Sequence, residues 1–484
     1  MNGVLNIAAV GLLILVTLVL GYRGSRISRT TSDFFVASRS VPPLGNAAAI
    51  SGEYLSAGTF LGLAGAVLLV GADGFWFPIG YAAGYLLVLL FVGAPLRRSG
   101  AYTIPDFIQA RVGSRTARHL TSVVVVVIGW LYIVPQLHGA AITMNVVAGL
   151  PLWVGAIVVA LVVGGAVAAG GMRAITAVQA FQYWVKLTAL LVPVVLLIIV
   201  LIGDDVRVDP QLVFPPERGP AGTGLYTTLS LMLALLLGTI GLPHVLVRFY
   251  TSPDGGSARR ATVLVIVLIS AFYAVSSTMG LIARVAAPDL AESGTADTVV
   301  LTLPSRLLPG IWGDLVTALV VAGAFAAFLA TSSGLVVSLA GVVSQDLFGG
   351  TVRSFRLAAM LCALVPLAFS FLTVPDGLVS SVGLVFVFAA SSLSPVIVLS
   401  VWWRRLTARG AIAGMAVGAA LCGGALIASA VITAPGWWTP LLAQPAAWTI
   451  PLATAAVVVV SLIDPRGPHP RSARYVARLH QPEV

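Results

Sequence analysis

Thirteen predominantly apolar stretches, each long enough to cross a bilayer, follow one another along this 484-residue chain with only short polar or Gly/Pro-containing breaks between them. A hydrocarbon core takes about 20 apolar residues of helix, and backbone in lipid must satisfy its own hydrogen bonds, so helices are the expected unit. The stretches lie near 4–22, 43–71, 75–96, 120–149, 152–170, 175–202, 226–250, 260–287, 311–345, 355–373, 377–401, 410–432 and 446–463. With 58% hydrophobic and 9% charged residues, the chain lies outside the balance of a soluble domain. The fold class is therefore an all-α integral membrane protein, one polytopic domain over 1–484.

Orientation follows from the basic residues. Arg23, Arg26 and Arg29 follow the first stretch instead of preceding it, so that stretch reads as an uncleaved helix with its N-terminus outside. Alternating sides from there puts 22 arginines inside, among them Arg97, Arg98, Arg173, Arg248, Arg259 and Arg260. Only Arg207, Arg218, Arg284 and Arg306 fall outside. The positive-inside rule then gives a plasma or inner membrane protein with a cytoplasmic C-terminus. The net charge of +10 is explained by topology and attraction to anionic lipid, with no nucleic-acid partner and no protein partner required.

Several function classes are excluded by inventory. A phosphate-binding loop needs Gly-Lys-Ser/Thr, but the single lysine, Lys186, stands in "QYWVKLTAL". None of the glutamates, Glu53, Glu217, Glu292 and Glu483, has the His-Glu-x-x-His setting of a zinc hydrolase. The chain has no visible catalytic constellation and is read as not an enzyme. A tail of about twenty residues leaves no room for a signalling domain. Cys362 and Cys422 lie within apolar stretches and read as buried thiols. His138 and His244, inside or at the ends of spans, are candidates for lining a pathway.

The second stretch contains "AISGEYLSAGTFLGLAG", in which Glu53 stands about ten residues into the span, roughly 15 Å deep. An unpaired charge there costs on the order of 3 kcal/mol. Small-residue packing explains the glycines around it but not the carboxylate. Gly52, Gly58 and the hydroxyl residues permit local unwinding, and unwound backbone at that depth is tolerated where it lines a cavity or coordinates an ion. The seventh stretch, "LLGTIGLPHVLVRFYT", is interrupted in the same way by Gly238, Gly241 and Pro243. Two breaks five spans apart point to two inverted five-helix repeats, 43–202 and 226–401. An extra N-terminal helix (4–22), two C-terminal helices (410–463) and a cytoplasmic tail (464–484) complete the expected plan.

The segments "SDFFVASRSVPPLGNAAAISGEYLSAGTFLGLAG", "YTIPDFIQARVGSRTARHL", "GTIGLPHVLVRFYT" and "FLATSSGLVVSLAGVVSQDLF" together resemble the sodium:solute symporter family, particularly its acetate and monocarboxylate permease branch. The resemblance implies a LeuT-like inverted-repeat core of ten helices within thirteen, and symport of a small monocarboxylate such as acetate, propionate or pyruvate with a cation. Na+ is the favoured coupling ion and H+ the other. Carried across by position, the family's sodium donors are Gly52, Leu55, Ala327 and Thr331, with Ala330 standing where a serine is frequent. Gln179 stands where several members carry an aspartate. The implied substrate site lies between the second and seventh spans, with Thr59, Phe60, Trp130, Gly238, Thr239, Ser391, Ser392 and Ser394 as candidates. Glu53 and Lys186 are the candidate coupling residues, with Lys186 a possible partner for Glu53 or an attractant for the substrate anion. Another small solute, such as an amino acid, nucleobase or sugar, is the alternative cargo; a channel would differ by non-saturable flux. The segment 203–225 reads as an external linker, and the basic tail as lying along the inner membrane surface.

Overall fold

The computed structural model describes all residues except 1, 27–29, 204–208, 215–223, 293–294, 374–376, 433 and 482–484. Arg29, Arg207, Arg218, Glu217, Glu483 and most of the linker at 203–225 lie outside the described residues. We number the principal helices α1 (Gly3–Ser25), α2 (Pro43–Tyr54), α3 (Leu63–Val70), α4 (Trp76–Phe91), α5 (Arg115–Ala148), α6 (Leu152–Gly203), α7 (Gly224–Gly241) and α8 (Pro243–Val247). They continue as α9 (Gly255–Ala286), α10 (Gly310–Leu347), α11 (Val352–Ser370), α12 (Leu378–Ser392), α13 (Ser394–Trp402), α14 (Ala408–Val431), α15 (Ala446–Ile463) and α16 (Ser472–His480). No strand occurs among the described residues.

Ten helices among the described residues are long and apolar enough to cross a membrane, or eleven if the bent pair α12 and α13 is one span. The count of thirteen is not reproduced, because two helical runs, Gly58–Phe91 and Leu152–Gly203, each take in parts of two expected stretches. The second is 52 residues long, or ~78 Å if straight, against a ~30 Å core. Gly171 breaks it, with φ 59° and ψ −155° inside the helix. A Cβ there would lie 2.6 Å from the ring of Phe34, so only glycine permits both the bend and the close approach. Phe34 belongs to the short helix Thr31–Val36, whose Asp33 accepts from Ser38 and from Arg173, just beyond the bend. Burial pushes the Asp33 carboxyl up, but these hydrogen bonds and those from Thr30 outweigh it and hold the group well below the usual carboxylate range.

Solvation by lipid accounts for the outer surface. Leu12 is 63% exposed and Ile199 60%, positions that in water would be an aggregation liability. The most deeply buried span is α10, which packs along α6 and against α5 and is apolar or small on all sides, as a helix enclosed by others must be. The tail helix α16 docks on the protein. It buries Ser472, Val476 and Leu479, and Arg98 and Arg111 donate to the Leu479 carbonyl and the Ser472 hydroxyl.

Replacing Gly171 with leucine forces a side chain into a glycine-only conformation and into Phe34. About 1–3 kcal/mol of strain is expected, seen as a fall of several degrees in the melting temperature of the purified protein in detergent.

Candidate functional site: two broken helices and a buried charge network

The helix α2 stops at Tyr54, where Leu55 turns extended (φ −77°, ψ 92°), and helical structure resumes at Gly58. This break strips partners from carbonyls of residues 52, 53 and 55, which would bond to amides four residues on in an unbroken helix. The amide of Ala57 donates instead to Gln136 Oε1 (2.8 Å) and that of Thr59 to the Ser56 carbonyl (3.1 Å). Side chains from other helices take over. Lys186 Nζ donates to the Gly52 carbonyl and to the Leu55 carbonyl (2.8 Å). Thr331 Oγ1 on α10 donates to the Glu53 carbonyl (2.7 Å) and, at 3.5 Å, to that of Leu55. Gly52 is required for this packing, since a Cβ there would lie 2.3 Å from the Gln179 carbonyl.

Glu53 is paired, but not with Lys186. Its Oε2 accepts from Arg248 Nε at 2.5 Å, both side chains being fully buried. Arg248 donates further to Thr176 Oγ1 (2.9 Å) and to Gln179 Oε1, while Gln179 Nε2 donates to the Ala330 carbonyl (2.8 Å). Arg248, counted above with the loop arginines, is thus a buried member of the site. Its sequence signal was its place directly after an interrupted helix, "GLPHVLVRF", where topology alone sufficed to explain a positive charge. Lys186 was chemically able to pair with Glu53, but its ammonium is held by the backbone break. Gly334 makes room for the carboxylate, since a Cβ on it would lie 2.0 Å from Glu53 Cδ.

The second break lies beside the first. α7 ends at Gly241, Leu242 is extended, and Pro243 starts α8, where its missing N–H costs nothing. The hydroxyl of Tyr54 meets Thr239 Oγ1 at 3.1 Å, linking the two breaks directly. Gly238 and Gly241 allow close packing, with Cβ positions 2.6 Å from the Phe386 carbonyl and 2.5 Å from that of Ala389.

The candidate substrate residues divide. Thr239 sits at the junction, and Thr59 and Phe60 are buried just past the first break, Thr59 donating to the Ser56 carbonyl and Phe60 facing Phe272 at 6.1 Å. Ser394 donates to the Leu237 carbonyl (2.5 Å). By contrast Ser391 turns to Thr449 on α15 (2.7 Å) and Ser392 bonds back to the Phe388 carbonyl (2.6 Å). Trp130 lies in a separate apolar cavity of about 570 Å³ with His138, Phe369, Leu384 and Leu426. Of the expected cation donors, Ala327 and Ala330 are both fully buried on α10 near Thr331.

A tyrosine cluster next to the breaks was not anticipated. Tyr54 contacts Tyr85 and Tyr81 (ring centroids 4.6 and 6.0 Å), Tyr81 contacts Tyr273 (6.0 Å), and Phe386 closes on Tyr81 and Tyr132 (4.9 and 6.1 Å). His244 meets Tyr132 at 5.2 Å. The buried hydroxyls of Tyr81, Tyr85 and Tyr273 and both ring nitrogens of His244 have no hydrogen-bond partner among the described residues, whereas buried polar groups are nearly always paired. Tyrosines spaced along apolar spans look like ordinary packing in sequence, and only convergence of four helices reveals the cluster.

A model of the sodium:solute symporter family matches residues 34–418. The chain belongs to the sodium:solute symporter family. It is 31% identical over 489 residues to an uncharacterised symporter of Bacillus subtilis, covering 95% of this chain and 91% of that one. A monocarboxylic acid transporter of Corynebacterium glutamicum is 30% identical over 456 residues, 86% of this chain and 82% of its own length. Among solved structures, a Na+-coupled sialic acid symporter in a substrate-bound, outward-open state superimposes with a TM-score of 0.69 at 15% identity, covering 95% of this chain and 98% of that one. A nucleobase-cation-symport-1 family transporter in a closed conformation gives 0.56 at 15% identity, over 92% and 98%. The fold is thus the LeuT-like one, and this symporter family member is a multi-pass membrane transporter, not an enzyme.

Removing one partner of a buried ion pair costs roughly 3–5 kcal/mol, because the other charge is stranded. In this symporter Arg248→Met is expected to lower the thermal stability in detergent by about that much. The double variant Glu53→Gln/Arg248→Met is expected to lose clearly less than the sum of the two single changes, a coupling that thermal unfolding of all four proteins measures.

Proposed function

We propose that this protein is a secondary active symporter that couples inward cation movement to uptake of a small monocarboxylate such as acetate, propionate or pyruvate. One observation carries the reading: three buried tyrosine hydroxyls with no partner among the described residues belong to one cluster of rings beside two broken helices. Hydroxyl donors and the dipoles of half-helix ends suit a carboxylate, and Phe386 with the tyrosine rings gives an apolar enclosure for a short alkyl tail. The pairing of Glu53 with Arg248 supports it, since a bare carboxylate nearby would repel an anionic cargo. The name of the C. glutamicum relative supports the same cargo. Sodium as the coupling ion draws support from the family's name and from the sialic acid symporter, and the proton is the second arm of the test.

The recurrence of the break in α2 and α7 supports two inverted repeats, residues 43–202 and 226–401, with substrate between them. The arginine distribution supports an external N-terminus and a cytoplasmic C-terminus in the cell membrane.

Purified protein in proteoliposomes is expected to accumulate labelled acetate, propionate or pyruvate saturably when a sodium or a proton gradient is imposed. Losing a hydroxyl that donates to a charged group costs about 1.5–3 kcal/mol, so Tyr81→Phe and Tyr85→Phe are each expected to raise KM roughly 10- to 100-fold. No accumulation of any of the three acids under either gradient would remove monocarboxylates as the cargo.

A further inference from the structure

Lys186 is the chain's one lysine, and it is fully buried on α6. Such a residue in a membrane protein needs a specific partner. Its partners are the Gly52 and Leu55 carbonyls, two of the backbone oxygens to which the family resemblance assigns sodium. Two further positions of that expected site, on α10, are engaged as well. The Ala330 carbonyl accepts from Gln179 Nε2 (2.8 Å) and from Ser333 Oγ (3.0 Å), and Thr331 directs its hydroxyl proton at the Glu53 carbonyl. An ammonium is acceptor-free, with three donors on one positive centre. It meets the same requirement as a small hard cation, that several oxygen lone pairs converge on one positive charge. A second cation on those oxygens would be in contact with the ammonium and repelled by it. The residues present therefore do not fit a sodium ion.

We propose that Lys186 is a tethered cation that takes the place of sodium between α2 and α10, so that substrate binding and exchange by this symporter need no Na+. The inference rests on the symporter reading for its transport consequence but not for its binding consequence. The ammonium fixes the break in α2 by joining it to α6, a role that a diffusible ion performs only when bound. Lys186 thereby acts as a positioning residue for the backbone that flanks Tyr54 and the tyrosine cluster.

Two measurements test this with the full-length protein. In detergent, replacing choline chloride with NaCl at equal ionic strength is expected to leave the melting temperature of the wild type within 1 °C, on the order of measurement scatter against the several-degree shifts that ligand binding produces. Lys186→Ala, which frees the carbonyls and leaves room for an ion, is expected to melt lower in choline and to be raised by NaCl in a saturable way. In proteoliposomes, counterflow of the labelled monocarboxylate by wild type is expected to be equal, within about twofold, in Na+ and in choline, a change worth less than ~0.5 kcal/mol. A saturable, sodium-specific rise in the wild-type melting temperature, or a tenfold loss of counterflow in choline, would overturn the proposal. Absence of counterflow in both salts would count against the monocarboxylate reading alone, because the thermal measurement needs no substrate. If Lys186→Ala fails to fold, the wild-type comparisons still decide.

Discussion

A helix cannot be interrupted in the middle of a bilayer without exposing carbonyls that neither water nor lipid will satisfy, and the break at Leu55 is the constraint on which the rest of this structure depends. Three carbonyls lose their helical amides there, and two side chains, Lys186 from α6 and Thr331 from α10, accept the duty of pairing them. Because these come from different helices, the interruption becomes a junction that holds α2, α6 and α10 in register. The glycines at 52 and 334 follow from this, one letting α2 approach α6 and the other letting α10 pass over Glu53.

The charge network solves a second problem created by the same junction. Glu53 sits one residue from the break and pairs with Arg248, just past α8, which Gln179 and Thr176 of α6 hold in turn. A buried ion pair is weak evidence for net stability, since desolvation offsets much of the attraction. Its more secure consequence is geometric: it ties the first broken helix to the segment after the second. Together with the Tyr54–Thr239 contact, it makes the two breaks one structural unit.

Much of this was legible in the chain. The interruptions at Gly52–Gly58 and Gly238–Pro243 stand out because glycine, proline and a carboxylate are conspicuous in apolar runs. Thr331 and Lys186, singled out in the sequence, bond to the first break, Thr239 meets Tyr54, and Gln179 accepts from Arg248. Arg248 was missed because a positive charge after a span is what topology already demands, and nothing local distinguishes an arginine that turns inward. The serines on α12 were named as a group, but 391 and 392 fall on faces directed to α15 and back along their own helix. The helix count differed because the runs Gly58–Phe91 and Leu152–Gly203 each pass through what hydropathy divides, the second across a kink at Gly171.

The sequence by itself determined that this chain lives in a bilayer, that its unit is the helix, and where two of those helices break. It could do so because hydrophobicity and helix propensity are local, additive properties of the residues. Only the tertiary structure decided which charge meets Glu53, which oxygens hold Lys186, and which tyrosines gather beside them. Each of these is a choice among partners hundreds of residues apart, made by helix rotation and close approach at glycine. In a medium of low dielectric, a partner a few ångströms nearer decides the pairing, and that distance is not written in any one segment of the chain.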